Sequence, residues 1–242
     1  MDQNVKLIAM DLDGTLTQHR SLLGEENRAV LSELKQHYEL LMVGAGTCRR
    51  IFDQMQQFPI NIIGNYGMQE SRFTDENGFE LIRSEDASVD KAEVLRRSAA
   101  IRNKYALNTW AGETLEIHPT GMLTFPVLGT KAQIADKLSY DPDKSKRTVM
   151  YPFVKELFYD YNVMIGGSSS FDIVPGRFGK KNALTRYMAE HGYTMDQVVY
   201  CGDDFAEGGN DHDVYAAGFR FIKVDHYQNF GRLIREAGLL GD

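Results

Sequence analysis

Cysteine is scarce in this chain: 242 residues hold only Cys48 and Cys201, each alone in its segment. With no CxxC pair, neither a zinc site nor a disulfide framework finds support, and two buried thiols in a reducing compartment are expected. Long apolar runs are also missing. The opening stretch MDQNVKLIAMDLDG carries no segment long enough for a signal peptide or a membrane span, so a soluble, cytoplasmic protein with no membrane partner is expected. Basic charge is not in excess either. Lys and Arg number 27 against 34 Asp and Glu, a net charge of −7, and the cations form no stripe that could track a nucleic acid. Internal repeats and low-complexity segments are absent. What remains is the balance of a globular protein, 43% hydrophobic and 25% charged, which fills a core without metal or disulfide staples. An acidic chain still binds an anionic substrate where a metal and a few local cations offset the field.

The apolar run at 5–10, VKLIAM, stops abruptly at Asp11, and its lack of alternation predicts a strand buried on both faces of a parallel sheet. An amphipathic helix follows over 24–37, a second buried strand at 40–46 ending in a glycine turn, a helix through Ile51 and Met55, and a third strand at 60–63. This alternation predicts right-handed βαβ units. After Asn65 the pattern changes. Asp75-Glu76-Asn77-Gly78 between two strand-like runs marks a hairpin over 69–83. A helix at about 88–104, strands at 113–118 and 121–126, helices near 131–139 and 147–159, and strands at 161–166 and 170–174 read as an α+β unit. From Lys180 the α/β rhythm resumes with helix 180–191, strand 197–201, helix 208–217, strand 219–223 and helix 227–237. The expected fold is therefore α/β, a Rossmann-like doubly wound parallel sheet formed by 1–83 and 177–242, with an inserted α+β cap at 84–176.

The sharpest chemical signal is Asp11-Leu12-Asp13-Gly14-Thr15-Leu16-Thr17, directly after the first strand. Ligands of open α/β sheets bind beyond the carboxyl ends of the strands. A carboxylate there can attack phosphorus, while a second carboxylate two residues on acts as general acid and base. Asp and Gly also form ordinary turns, but the length of this string argues for more than a turn.

DLDGTLT resembles the first motif of the haloacid-dehalogenase-like phosphotransferases. The resemblance implies Asp11 as nucleophile and Asp13 as acid and base. The segment Val43-Gly44-Ala45-Gly46-Thr47-Cys48-Arg49 matches the second motif. It implies Thr47 as the hydroxyl that holds the phosphoryl, with the backbone amides of the turn, Gly46 among them, as the other possibility. Gly179-Lys180-Lys181-Asn182-Ala183-Leu184 matches the third, and its spacing selects Lys180. Gly202-Asp203-Asp204-Phe205-Ala206-Glu207-Gly208-Gly209-Asn210-Asp211 matches the fourth. Asp203 and Asp211 would hold Mg²⁺ together with Asp11 and the Asp13 backbone carbonyl, the oxygen-rich shell this hard cation takes. Asn65, Arg20 and Arg49 are further candidates for substrate contact, while His118 and His212 read as packed or capped histidines.

Within that superfamily, DLDGTLTQHR (11–20), TGML (120–123), IGGSSSFDIVP (165–175) and GGNDHDVYAAGFRFIKV (208–224) are similar to eukaryotic-type phosphomannomutases, which implies Ser170 and Asp172 as sugar contacts. Those mutases hold a second phosphate with cap arginines. Ungapped alignment of TGML puts Pro119 and Thr130 where two of them would stand, and only gaps bring Lys137 or Arg147 near. A lone lysine lacks the bidentate fork of arginine. The expectation is therefore a Mg²⁺-dependent phosphatase of a small phosphorylated substrate, a sugar phosphate, acting as a monomer or homodimer. A hexose-phosphate mutase is its first rival, and a non-catalytic phosphosugar sensor the rival of another class.

Overall fold

The computed structural model describes residues 4–241. The chain divides into two compact units, one of residues 1–84, 180–206 and 211–242, the other of 85–179 with 207–210.

The first unit is built on a seven-stranded sheet ordered β11-β10-β1-β2-β3-β4-β5. Strands β1 (Leu7–Met10), β2 (Glu39–Val43), β3 (Asn61–Gly64), β10 (Val198–Gly202) and β11 (Arg220–Lys223) run parallel, and the hairpin β4 (Gln69–Thr74) and β5 (Gly78–Ser84) closes one edge antiparallel. Successive residues of β1 serve opposite faces. Ile8 and Met10 pack with Leu31 and Leu34 of α1 (Glu25–Leu34), Ile51 of α2 (Cys48–Gln54) and Ile234 of α8 (Phe230–Glu236). Leu7 and Ala9 pack with Leu184 and Tyr187 of α6 (Lys180–His191) and Val214 of α7 (His212–Ala216). Helices thus cover both faces, which is why the central strands β1 and β10 are buried along their whole length. From β1 the chain winds outward through β2 and β3, and from β10 outward through β11. The switch point lies between the neighbours β1 and β10, where a ligand crevice is expected.

The second unit has a four-stranded antiparallel sheet, β6-β7-β9-β8, made of Glu116–Ile117, Leu123–Pro126, Ser170–Pro175 and Tyr161–Gly166. One face, with Leu123, Phe125, Phe171, Ile173, Val163 and Ile165, packs on Val94 and Ile101 of α3 (Lys91–Lys104) and on Met150 and Val154 of α5 (Ser145–Leu157). The other face carries Thr124 and Asp172 directly opposite each other in register. Helix α4 spans Ile134–Tyr140. The helix expected from 208 begins only at His212. Gly208 takes a φ of +81°, and the amide of Ile165 donates to its carbonyl, so 207–210 lie with the second unit as an irregular loop. The expected helix over 227–237 opens as a 3₁₀ turn, Tyr227–Asn229, before α8.

Candidate active site

The ends of β1 and β10, and the start of α6, bring four ionisable side chains together. Asp11 follows β1 directly, and its amide donates to the Cys201 carbonyl on β10 at 3.0 Å. Lys180, first residue of α6 and only 2% exposed, places Nζ 2.7 Å from Asp11 Oδ1 and 2.8 Å from Asp211 Oδ1. Asp211 is wholly buried. Its Oδ1 also accepts from the Tyr200 hydroxyl at 2.7 Å, and its Oδ2 accepts from the Asp204 amide at 3.1 Å. Asp203 Oδ1 accepts from Thr15 Oγ1 at 2.9 Å.

Two glycines make this crowding possible. A Cβ on Gly14, whose φ is +97°, would stand 2.3 Å from Asp203 Oδ2, and one on Gly202 would stand 2.6 Å from Asp211 Oδ2. Gly14 therefore meets a conformational demand and a steric one at once.

Asp11, Asp203 and Asp211 can each offer an oxygen within 4.8 Å of the others. Three carboxylates face one ammonium, leaving an excess of negative charge in a buried place. Burial, with Asp211 and Asp203 adding to it and Lys180 opposing it, pushes Asp11 up to about 8. Burial and Asp211 push Asp203 up to about 6, against the Thr15 hydrogen bond. Burial alone would lower Lys180, but Asp11 and Asp211 outweigh it and raise it above its ordinary value. An all-oxygen donor set with surplus negative charge fits a hard divalent cation.

Asp13 stands apart from that cluster. Its Oδ1 accepts from the Arg20 amide and from Gln54 Nε2, each at 2.7 Å, and Arg50 Nη2 lies 3.5 Å from its Oδ2. Burial opposes ionisation of Asp13, yet these donors, with His19 nearby, hold its pKa below the usual carboxylate value.

The second-motif turn is arranged around α2. Thr47 is exposed and caps that helix, its Oγ1 accepting from the Arg50 amide at 3.1 Å. Gly46 leaves room for a guanidinium, since a Cβ there would stand 2.3 Å from Arg50 Nε. The Gly46 carbonyl accepts from the amide of Asn65, a buried residue in the left-handed region at φ 46°, a conformation asparagine tolerates. Arg20 joins Asp13 through its backbone, and its side chain is exposed. Arg49 is not brought to Asp13. It pairs with Asp53 at 3.1 Å and lies over the Phe79 ring, and its neighbour Arg50 takes the place by Asp13 instead, because consecutive helical residues diverge by about 100°. Ser170 and Asp172 lie on β9 in the second unit. Ser170 Oγ donates to the Gly166 carbonyl at 3.0 Å, and the Asp172 carboxylate covers Gly166, where a Cβ would stand 2.5 Å from it.

Sequence reasoning passed over four residues of this region: Thr15, Tyr200, Arg50 and Gln54. Thr15 lies inside the DLDGTLT string and Tyr200 three residues before Asp203, so position relative to the strand ends was an available signal. For Arg50 and Gln54 the signal was their i,i+4 spacing on a helix that opens from the second motif.

The fold is shared with a haloacid dehalogenase-like hydrolase from Bacillus subtilis, at a TM-score of 0.63 and 14% identity over 98% of this chain and 100% of that one. A family model described as eukaryotic phosphomannomutase matches residues 27–225, and the chain belongs to that family. That membership, with the shared fold, makes the chain an enzyme of the haloacid-dehalogenase-like superfamily. It is 26% identical to a phosphomannomutase of Saccharomyces cerevisiae over 86% of this chain and 84% of that protein. It is equally 26% identical to a 5-amino-6-(5-phospho-D-ribitylamino)uracil phosphatase of Bacillus subtilis, over 84% of this chain and 78% of the other.

Proposed function

We propose that this chain is a Mg²⁺-dependent phosphatase that releases phosphate from a sugar phosphate through an aspartyl-phosphate at Asp11. The observation that carries the choice over a mutase is the state of the cations in the second unit. Arg147, which would have to clamp a second phosphate, is 1% exposed. It donates to Asp141 Oδ2 at 2.7 Å and to the carbonyls of Gly166, Gly167 and Ser170 at 2.8 to 3.1 Å. Lys137 Nζ donates to the Thr130 carbonyl at 3.0 Å. Arg96 and Arg97 pair with Glu93, Arg97 also with Asp160, Arg102 donates to the carbonyls of Pro126 and Val127, and Arg177 lies over Phe178. Every arginine of that unit has a partner, so a bisphosphate finds no fork built to hold its distal phosphate.

Asp11 Oδ attacks phosphorus, and the bond from phosphorus to the sugar oxygen breaks as Asp13 gives that oxygen a proton. Water then attacks the aspartyl-phosphate, its proton passes to Asp13, and inorganic phosphate leaves with Asp11 restored. The donors around Asp13 favour the ionised form that the second step uses. Proton delivery in the first step works against those hydrogen bonds. Asp11, Asp203 and Asp211, with the Asp13 carbonyl, would hold Mg²⁺, which offsets repulsion between the attacking carboxylate and the phosphate dianion. Lys180 restrains Asp11, the Thr47 hydroxyl proton and the Gly46 amide bind phosphoryl oxygens, Arg20 and Asn65 contact the substrate, and Ser170 and Asp172 recognise the sugar.

The mutase is the second reading, favoured by the family match and the yeast relative. A panel of sugar phosphates, assayed for phosphate release with Mg²⁺ and with EDTA, tests both. Hexose phosphates are followed with and without a hexose bisphosphate. Metal-dependent release without isomer interconversion supports the phosphatase; interconversion that needs the bisphosphate, with little release, replaces it with the mutase.

A further inference from the structure

Helix α2 turns two polar side chains toward Asp13. Gln54 is 7% exposed, and its Nε2 reaches Asp13 Oδ1 at 2.7 Å and Thr17 Oγ1 at 3.2 Å. One helical turn earlier, Arg50 donates from Nη1 to Gln54 Oε1 at 3.1 Å. These partners fix which way the amide faces. Reversing it would set its oxygen against a carboxylate oxygen and its NH₂ against a guanidinium. Arg50 is itself steered by folding over Gly46. The two oxygens of Asp13 consequently differ. Oδ1 takes two short hydrogen bonds, from Gln54 and from the Arg20 amide, while Oδ2 faces Arg50 at the longer distance of 3.5 Å.

We infer that Gln54 is a positioning residue: it anchors Asp13 through Oδ1, so that Oδ2 is the atom that exchanges a proton with the sugar oxygen and with water. Arg50 locks the Gln54 amide in the orientation this needs. The inference rests on the roles proposed above for Asp11 and Asp13, and it adds the residues that aim the second of them. A reacting group displaced by about 1 Å can lose on the order of 100-fold in rate.

The test compares two leaving groups. A sugar oxygen needs a proton to depart, whereas p-nitrophenolate leaves without one. Gln54→Ala is expected to lower kcat/KM for the best sugar phosphate by about 100-fold, with KM changed less than about 3-fold, and to lower kcat/KM for p-nitrophenyl phosphate less than about 3-fold. Arg50→Met, at a side chain 42% exposed that the fold tolerates, is expected to repeat the pattern at about 10-fold. Equal losses on both substrates in a folded variant, a loss confined to KM, or no loss in either variant overturns the inference. Should Gln54→Ala not fold, Arg50→Met decides alone. Wild type and Asp11→Asn are measured first. If Asp11→Asn keeps wild-type turnover, it is the proposed function that fails; if it is inactive and the Gln54 pattern is missing, only the positioning role fails.

Discussion

Asp11 has three charged neighbours with opposing effects: Lys180 stabilises its charge, and Asp203 and Asp211 repel it. Replacing Asp11 with Asn removes the nucleophile but keeps the shape, and turnover of any phosphomonoester should fall by at least about 1000-fold with the melting temperature held or raised. Steady-state kinetics and a thermal melt check this together. The same crowding makes stability depend on pH. Asp11 at about 8 and Asp203 at about 6 lie above the ordinary 3.8. Between roughly pH 4 and 8 the folded, metal-free protein therefore binds more protons at these groups than the unfolded chain, and their contribution to stability falls as pH rises. A divalent cation stands in for those protons, so the gain in melting temperature on adding Mg²⁺ should grow from about pH 5 to about pH 8. A gain of the same size at both pH values would contradict the cluster as the metal site. Asp11, Lys180, Asp203 and Asp211 stood out in the sequence through the motifs that carry the resemblance, Asp11 and Asp203 also because each follows an apolar strand. The placement of Asp13 did not, since one of its hydrogen bonds comes from a helix 41 residues away in the chain.

At the level of elements, the two turns beside the cluster carry separate loads. In the first, Gly14→Ala would force a side chain into φ +97° and against Asp203. It is expected to cost more than about 1 kcal/mol and to weaken Mg²⁺ binding. In the second, Thr47→Ala removes the N-cap of α2 and should cost about 1 kcal/mol, a fall of about 2–4 °C in melting temperature. Loss of its hydroxyl from the phosphoryl should appear separately as a lower kcat/KM. Thr47→Ser, which restores both bonds, should recover both losses; recovery of stability alone would confine Thr47 to capping. Strand positions were readable from apolar runs, since a strand covered by helices on both faces has no polar side to show. Helix phase was not. Nothing local distinguishes Arg49 from Arg50 until the start of α2 is fixed by the Thr47 cap, and one residue of phase decides which guanidinium reaches Asp13. Helix α7 is shorter than its sequence suggests: Gly208-Gly209-Asn210 looks continuous with the segment after it, but a hydrogen bond from the Ile165 amide to the Gly208 carbonyl holds it as a loop.

Taken as a whole molecule, the chain keeps the fold of its superfamily, sets an acidic cluster at the strand ends, and uses the arginines of its second unit as structural ties. Arg147 holds Asp141 and three carbonyls at the end of the β8–β9 hairpin. Removing it strands a buried carboxylate, and Arg147→Met should cost about 3–5 kcal/mol of stability. A clamp residue at the surface would cost almost nothing, so the melt separates the two roles. The sequence displayed the α/β rhythm, the interrupting α+β segment and the missing arginines at Pro119 and Thr130. It did not display what Arg147 binds, because three of its partners are backbone carbonyls, which every residue carries. The central claim is that water, not a sugar, takes the phosphoryl from Asp11, and tracing the phosphoryl tests it most directly. The enzyme is loaded with a ³²P-labelled hexose phosphate in Mg²⁺, with unlabelled hexose phosphate in excess. The account predicts label in inorganic phosphate, at a rate the excess sugar lowers only by competition, and none in a bisphosphate. Label recovered in hexose bisphosphate or in the isomeric monophosphate would contradict it.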